Sequence, residues 1–399
     1  MTVDGARRVG LLFCLIVSAA ARHASAGDGL LLNGNFEDPP NKSQMNGTTM
    51  TGAHAIPYWT ITGIVEYIDS GKSQAPDGVV LAVPEGVHAL RLGNGASVHQ
   101  QLSLARGFYY SVTFSASRTC AQSEKLILSV VPGDAAAEPT SEIPIQTVYS
   151  VSGWDSYSWA FRAARGVVTF VIHHGDEGVD DPDCGPIIDA VAIKKLRAPH
   201  ETWSGAGGNL LSNGDFEEGP YIIPGTAYGV LVPPMDEDDV SPLPGWMVMS
   251  YSKVVKYVDA AHYKVPKGAR AVELVAGVEV ALVQEVDTVP GSACKMEFSV
   301  GDAGDGCVAH EPELPMRVVA ATTGAPGTVT VVYQSQGTGG HTSGKLEFTA
   351  DGNRTRVVLY SSGYHTMSDG TGTLCGPVVD DVSLVCASLP PHTRRLLRR

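Results

Sequence analysis

Residues 33–37 read Asn-Gly-Asn-Phe-Glu, and residues 213–217 read Asn-Gly-Asp-Phe-Glu. Three further stretches return in the same order. Val65-Glu-Tyr-Ile-Asp69 comes back as Val255-Lys-Tyr-Val-Asp259. Val83-Pro-Glu-Gly86, with Ala89-Leu-Arg-Leu92 behind it, comes back as Val265-Pro-Lys-Gly268 and Ala271-Val-Glu-Leu274. Cys184-Gly-Pro-Ile-Ile-Asp189 comes back as Cys375-Gly-Pro-Val-Val-Asp380. The four offsets are 180, 190, 182 and 191 residues. Chance does not keep four matches in order at near-constant spacing, so one fold is present twice. The join falls in residues 198–208, which contain Pro199 and the glycine-rich run from Ser204 to Gly208. The copies therefore occupy residues 28–197 and 209–388.

Each copy reads as short strands. Tyr109–Ser117 alternates with a period of two, as do Ile188–Ile193 and Val379–Leu384. Val167–His173, Thr328–Tyr333 and Arg356–Tyr360 are rich in β-branched and aromatic residues. Gly, Pro, Asn and Asp punctuate between them, and no segment carries a sustained 3.6-residue stripe. This pattern predicts an all-β protein of two tandem jelly-roll β-sandwiches. Trp59 and Trp246 recur between copies, each after a turn proline, and are expected at equivalent buried places.

The N-terminus has the layout of a secretory leader over residues 1–26. Arg7 and Arg8 precede an apolar run from Val9 to Ala21, which closes on Ala24-Ser-Ala26. That run is shorter than the ~20 residues a membrane span takes. No later stretch reads as a span, and the tail 389–399 is basic. Sequons at Asn41, Asn46 and Asn353 agree with a secreted, glycosylated protein. Of seven cysteines, Cys14 leaves with the leader, so six remain for an oxidising compartment. Matching placement pairs Cys120 with Cys184 and Cys307 with Cys375. Cys294 begins an inner strand and Cys386 ends the last one, which points to a third bridge. The formal net charge of −14 argues against a nucleic-acid partner, which needs a basic footprint.

The strings LLLNGNFEDPP, VPEGVHALRLGN, YYSVTFSASRTCAQ, DPDCGPIIDAVAIKKL, NLLSNGDFEEGPY, SPLPGW, VPKGARAVELVAG and LCGPVVDDVSL resemble a plant-specific cell-wall family filed as a domain of unknown function, the BIIDXI type. The likeness runs from about Gly29 to Val385. Cys294 and Cys386 depart from the family's usual cysteine set. The resemblance implies two galactose-binding-like domains, polysaccharide binding in the cell wall, and modulation of pectin methylesterase.

Several side chains are candidates for chemistry. The repeated Glu37 and Glu217 of the Asn-Gly-x-Phe-Glu motif, with Asp189 and Asp380 ahead of the last strands, form a hard-oxygen set suited to a structural calcium. Simple alternation puts Asp189 on one face with Val191 and Ile193, where a carboxylate needs a partner. The competing reading is an aspartate capping backbone donors in a turn. Trp154, Tyr157 and Trp159 have no counterpart in the second copy and are candidates for a sugar-stacking platform. The bland alternative is an ordinary buried strand. Asp236–Asp239 and the acidic run after His174 read as solvated loops. No Gly-x-Ser-x-Gly, His-Glu-x-x-His or phosphate-loop pattern occurs, so binding without catalysis is expected, and no cofactor is required. The alternatives are a structural wall glycoprotein, the ectodomain of a signalling complex, or a glycan-active enzyme.

Overall fold

The structure is a computed structural model that describes residues 30–72, 80, 82–119, 124–131, 140–150, 152–175, 184–198, 208–226, 229–308, 315–323 and 327–387. The leader at residues 1–26, most of the linker, the basic tail and Cys120 lie outside the described residues, so the Cys120–Cys184 pairing does too. No helix among the described residues is long and apolar enough to cross a membrane.

Both copies are β-sandwiches with the same strand order. In the first, Val65–Asp69, His88–Leu92, Ile187–Leu196, Tyr109–Ser117 and Asp155–Arg162 lie side by side. Facing them are Thr60–Thr62, Ser97–Ser103, Val167–His174, Lys125–Val131 and Thr140–Pro144. In the second, Val255–Asp259, Arg270–Glu273, Val378–Cys386, Ala293–Gly301 and His341–Thr349 face Met247–Met249, Ala281–Asp287, Arg354–Ser361, Met316–Thr322 and Thr328–Tyr333. Alternation explains the layers. Along Lys125–Val131 every second residue is buried, and Leu126, Leu128 and Val130 enter the first core.

The repeated motif builds the same knot in both copies. Asn33 and Asn213 adopt φ of 52° and 48°, and Phe36 and Phe216 adopt 57° and 51°. Trp59 Nε1 donates to Asn33 O, and Trp246 Nε1 donates to Asn213 O, each at 2.9 Å. The hydroxyls of Tyr67 and Tyr257 donate to the carbonyls of Phe36 and Phe216, each at 2.8 Å. Both tryptophans are 1% exposed, so their indoles are core with a satisfied N–H, as the repeat predicts.

Cys307 bonds Cys375, and Cys294 bonds Cys386. The second pair sits directly across neighbouring strands, because Cys294 and Cys386 are register partners. The bridge therefore staples one end of that strand pair, as their strand positions foretold.

The two sandwiches share an edge. The short strand Val230–Val232 belongs to the second copy, yet it also lies parallel to Asp155–Arg162 of the first, with Tyr157 opposite Leu231. Ser158 Oγ donates to Leu231 O at 2.9 Å. Lys194 Nζ donates to Gly219 O at 2.9 Å and stands 3.6 Å from Glu218 Oε1. Leu231, Val254 and Val275 of the second copy join the first core. A buried ionic group sits near this seam. Lys256 Nζ lies 3.3 Å from Glu273 Oε2, both essentially sealed from water. Asp155 of the first copy, 1% exposed, contributes a further carboxyl to the same electrostatic group.

Candidate functional site: a tyrosine-lined cleft in the second domain

The sequence-selected candidates fall in three places. Trp154, Tyr157 and Trp159 are 0%, 1% and 8% exposed, so they form no sugar platform. Tyr157 stacks on Phe114 with centroids 5.7 Å apart, and Trp159 stacks on Phe161 at 5.4 Å. Trp154 packs against Ile68, Ala89 and Ile187. One face of their strand meets the first core. The second copy runs along its edge and accepts a hydrogen bond from Ser158 on its other face, so both faces are dry.

The four acidic candidates come together in pairs, one pair per copy, around the loop that precedes the second core strand. Asp189 Oδ2 accepts from Glu85 N at 3.0 Å, and its Oδ1 accepts from Ala190 N at 2.6 Å. Glu37 Oε1 accepts from Val87 N and His88 N at 2.6 and 2.8 Å. In the second copy Asp380 accepts from Lys267 N and Asp381 N, and Glu217 from Ala269 N and Arg270 N. Burial pushes the Asp189 carboxyl well up and the Asp380 carboxyl up to about 7.

This donor set does not fit calcium, which takes six to eight oxygens. Both oxygens of each aspartate already accept a backbone N–H, and one oxygen of each glutamate accepts two. Among the described residues no group of three or more His, Cys, Asp or Glu side chains converges as a metal site. The carboxylates clamp a loop instead. The facial assignment also changes. A β-bulge separates Asp189 from Ala192, with Ala190 at φ 51°, so Asp189 lies opposite the core face of Val191 and Ile193. Asp381, at φ 50°, plays the same part beside Asp380.

His174 is buried, with Nδ1 3.0 Å from the carbonyls of Leu92 and Gly93, while residues 176–183 lie outside the described set. Asn41, Asn46 and Asn353 are all exposed. Asp236, Glu237, Asp238 and Asp239 line an open acidic depression of about 630 Å³. Asp239 there accepts from Asp236 N at 2.9 Å, as expected of a solvated turn.

The feature that sequence reading passed over is a cleft of about 730 Å³ in the second domain. Its walls are two loops, Ser250–Val254 and Ala276–Val280, with Tyr360 on the neighbouring strand Arg354–Ser361, opposite Ala281. Tyr251 stands fully out of the surface at 107% exposure, and Tyr364 is 45% exposed. Tyr364 lies over Gly277, where an added Cβ would sit 2.9 Å from its ring, and Gly277 has φ of 56°. Lys253 Nζ faces Glu279 Oε2 at 4.0 Å. The arrangement offers aromatic faces beside hydroxyls and one offset ion pair, the mixture of apolar wall and few polar groups that suits a small polar ligand.

Among the described residues of the first copy the equivalent loops close on each other, and spacing shows why. Trp59 maps to Trp246 at an offset of 187 and Val65 to Val255 at 190, so the second copy gains three residues in the first loop. Leu92 maps to Leu274 at 182 and Gln100 to Gln284 at 184, which adds two in the second loop. In the first copy the short loops touch. Gly93 N donates to Ile64 O at 2.9 Å, and a Cβ on Gly63 would meet Ala96 Cα at 2.9 Å.

Residues 29–194 and 209–385 match the family described as "Protein of unknown function (DUF642)". The chain belongs to this family. The two matched segments coincide with the two sandwiches. Among DUF642 relatives, the Arabidopsis thaliana "Protein DUF642 L-GALACTONO-1,4-LACTONE-RESPONSIVE GENE 2" is 49% identical over 95% of this chain and 97% of its own length. "GENE 1" of the same name is 50% identical over 96% and 98%. "Protein TEEBE" from the same plant is 44% identical over 90% and 92%. Among solved structures, the CBM22-1–CBM22-2 tandem of Paenibacillus barcinonensis Xyn10C is similar at TM-score 0.28 and 13% identity, covering 92% of this chain and 100% of that one. TmCBM61 in complex with β-1,4-galactotriose is similar at TM-score 0.26 and 16% identity, over 41% and 98%. At such scores the likeness says nothing about a shared ligand.

Proposed function

We propose that this protein is secreted into the plant cell wall, binds wall polysaccharide through the second-domain cleft, and modulates pectin methylesterase without turning over a substrate itself. The observation that carries the binding role is Tyr251, a large aromatic held wholly in solvent at the lip of a cleft. Sugar rings present apolar C–H faces that an exposed tyrosine plane covers at little entropic expense. Leaving such a ring bare forgoes burial of a large apolar surface, which a bound ring recovers. Two disulfides and three exposed sequons support an extracellular setting. The resemblance to wall proteins of the BIIDXI type supports the methylesterase link. So does charge, since a net −14 favours encounter with a basic enzyme at low salt.

The test is a pull-down of the purified protein on insoluble wall fractions, beside a pectin methylesterase assay with and without it. Retention on a wall polymer and an altered esterase rate are expected. Release of sugar or methanol by the protein alone would contradict the non-catalytic reading. Neither retention nor an esterase effect would leave the structural-glycoprotein alternative in its place.

A further inference from the structure

We infer that the chain carries a single glycan site, in the second domain alone, and that this site takes a neutral pyranose chain rather than a polyuronate; the inference rests on the binding function proposed above. Three observations meet here. First, duplication supplies an internal control. Two copies share a strand order, a motif knot and a loop clamp, yet extra residues appear in the two loops that face each other across the cleft. Where the loops keep their shorter length they close on one another through Gly93 and Ile64. A cleft that the equivalent described loops of one copy close, and that paired insertions open in the other, is not a by-product of the fold.

Second, the added residues bring the recognition chemistry. Tyr251 and Lys253 lie in the first lengthened loop, and Glu279 in the second. Gly277, at φ 56°, is the residue that lets the Tyr364 ring come close to the turn. Any other residue there meets both a left-handed backbone and the tyrosine ring.

Third, the charge at the cleft selects against anions. Lys253 is its sole cationic lining residue among those described, and that ammonium faces Glu279 at 4.0 Å. Glu279 is half exposed at the rim. A polyuronate carries a negative charge on every sugar and meets Glu279 with no uncommitted cation to offset it. Hydroxyls of a neutral chain meet Ser250, Ser252, Lys253 and Glu279 as ordinary hydrogen-bond partners.

The test is calorimetric titration of the purified protein with xylan, xyloglucan and β-1,4-galactan oligosaccharides, and with oligogalacturonate, at low and high salt. One site per chain is expected for a neutral oligosaccharide, with affinity indifferent to salt. Tyr251→Ala weakens it by about tenfold or more, and Tyr251→Phe retains it. Unchanged thermal melting shows that both variants are folded. Glu279→Lys removes an acceptor that a neutral chain uses, so neutral binding weakens by about fivefold, while affinity for oligogalacturonate rises by about tenfold at low salt. Two equivalent sites per chain would overturn the single-site inference. Wild-type binding of oligogalacturonate that Tyr251→Ala abolishes would overturn the neutral class. Both results leave the binding function standing, whereas binding of none of the four probes removes that function and the inference together.

Discussion

Replacing Lys256 with methionine removes the ammonium from a pocket sealed on every side. Glu273 is 0% exposed and Asp155 is 1% exposed. Burial pushes Glu273 up to about 7 from its ordinary 4.5, against the pull of Lys256, and pushes Asp155 up to about 6 from 3.8. Both folded values lie above the unfolded ones, so the folded chain holds extra protons in the window from about 4 to 7. Its stability is greatest at the acid end of that window and is lost as pH rises through it. For Glu273 the rise corresponds to about 3 kcal/mol. With Lys256→Met in place, the carboxylates have no counter-charge once ionised. The variant is expected to lose about 3–5 kcal/mol of unfolding free energy near pH 8. Near pH 5.5, where both carboxyls hold their protons, the loss shrinks below about 1 kcal/mol. Urea unfolding at the two pH values, followed by tryptophan fluorescence, measures both numbers. An equal loss at both pH values, or a loss under about 1 kcal/mol near pH 8, refutes the buried-pair reasoning. Adding Glu273→Leu is expected to restore most of the stability.

Trp246→Ala empties a fully buried site and removes one of the two donors to the Asn213 carbonyl, and a drop of about 3–5 kcal/mol in chemical denaturation is expected; a loss below about 1 kcal/mol contradicts the core assignment. Opening the Cys294–Cys386 bridge, which spans 92 residues, by a double serine substitution is expected to remove about 4–5 kcal/mol on the chain-entropy account. Non-reducing peptide mapping is expected to show Cys120 joined to Cys184, and a peptide linking the two domains would argue against independent closure of each sandwich. Gly277→Ala meets a positive φ and the Tyr364 ring, so a destabilisation of about 1–2 kcal/mol is expected, together with weaker glycan retention; unchanged melting and unchanged retention count against the packed turn.

Much of the fold was legible because alternation and duplication are local signals. Tyr109–Ser117 and Thr328–Tyr333 appear as strands at the residues where alternation placed the first and β-branched and aromatic content the second. Trp59 and Trp246 are core because each repeats behind the same turn. The carboxylates were harder. One extra residue at Ala190 or Asp381 flips the facing of everything before it, and a bulge leaves no mark in a single sequence. Trp154, Tyr157 and Trp159 look like an exposed aromatic cluster, yet their rings pack within the first copy, Tyr157 on Phe114, Trp159 on Phe161 and Trp154 on Ile68, Ala89 and Ile187, contacts between distant segments that no periodicity encodes. The cleft did leave a trace. The offset between copies steps from 187 to 190 and from 182 to 184, and those steps are the two insertions that open it. Drift in the repeat spacing was itself the signal.

The most direct test of the central claim is a crystal structure of the protein soaked with whichever wall oligosaccharide it binds in solution. A sugar ring is expected against Tyr251 and Tyr360, between the Ser250–Val254 and Ala276–Val280 loops, with the equivalent position of the first domain bare. Sugar seated on the first domain, or in the acidic depression beside Asp236–Asp239 with the tyrosine cleft bare, would contradict it.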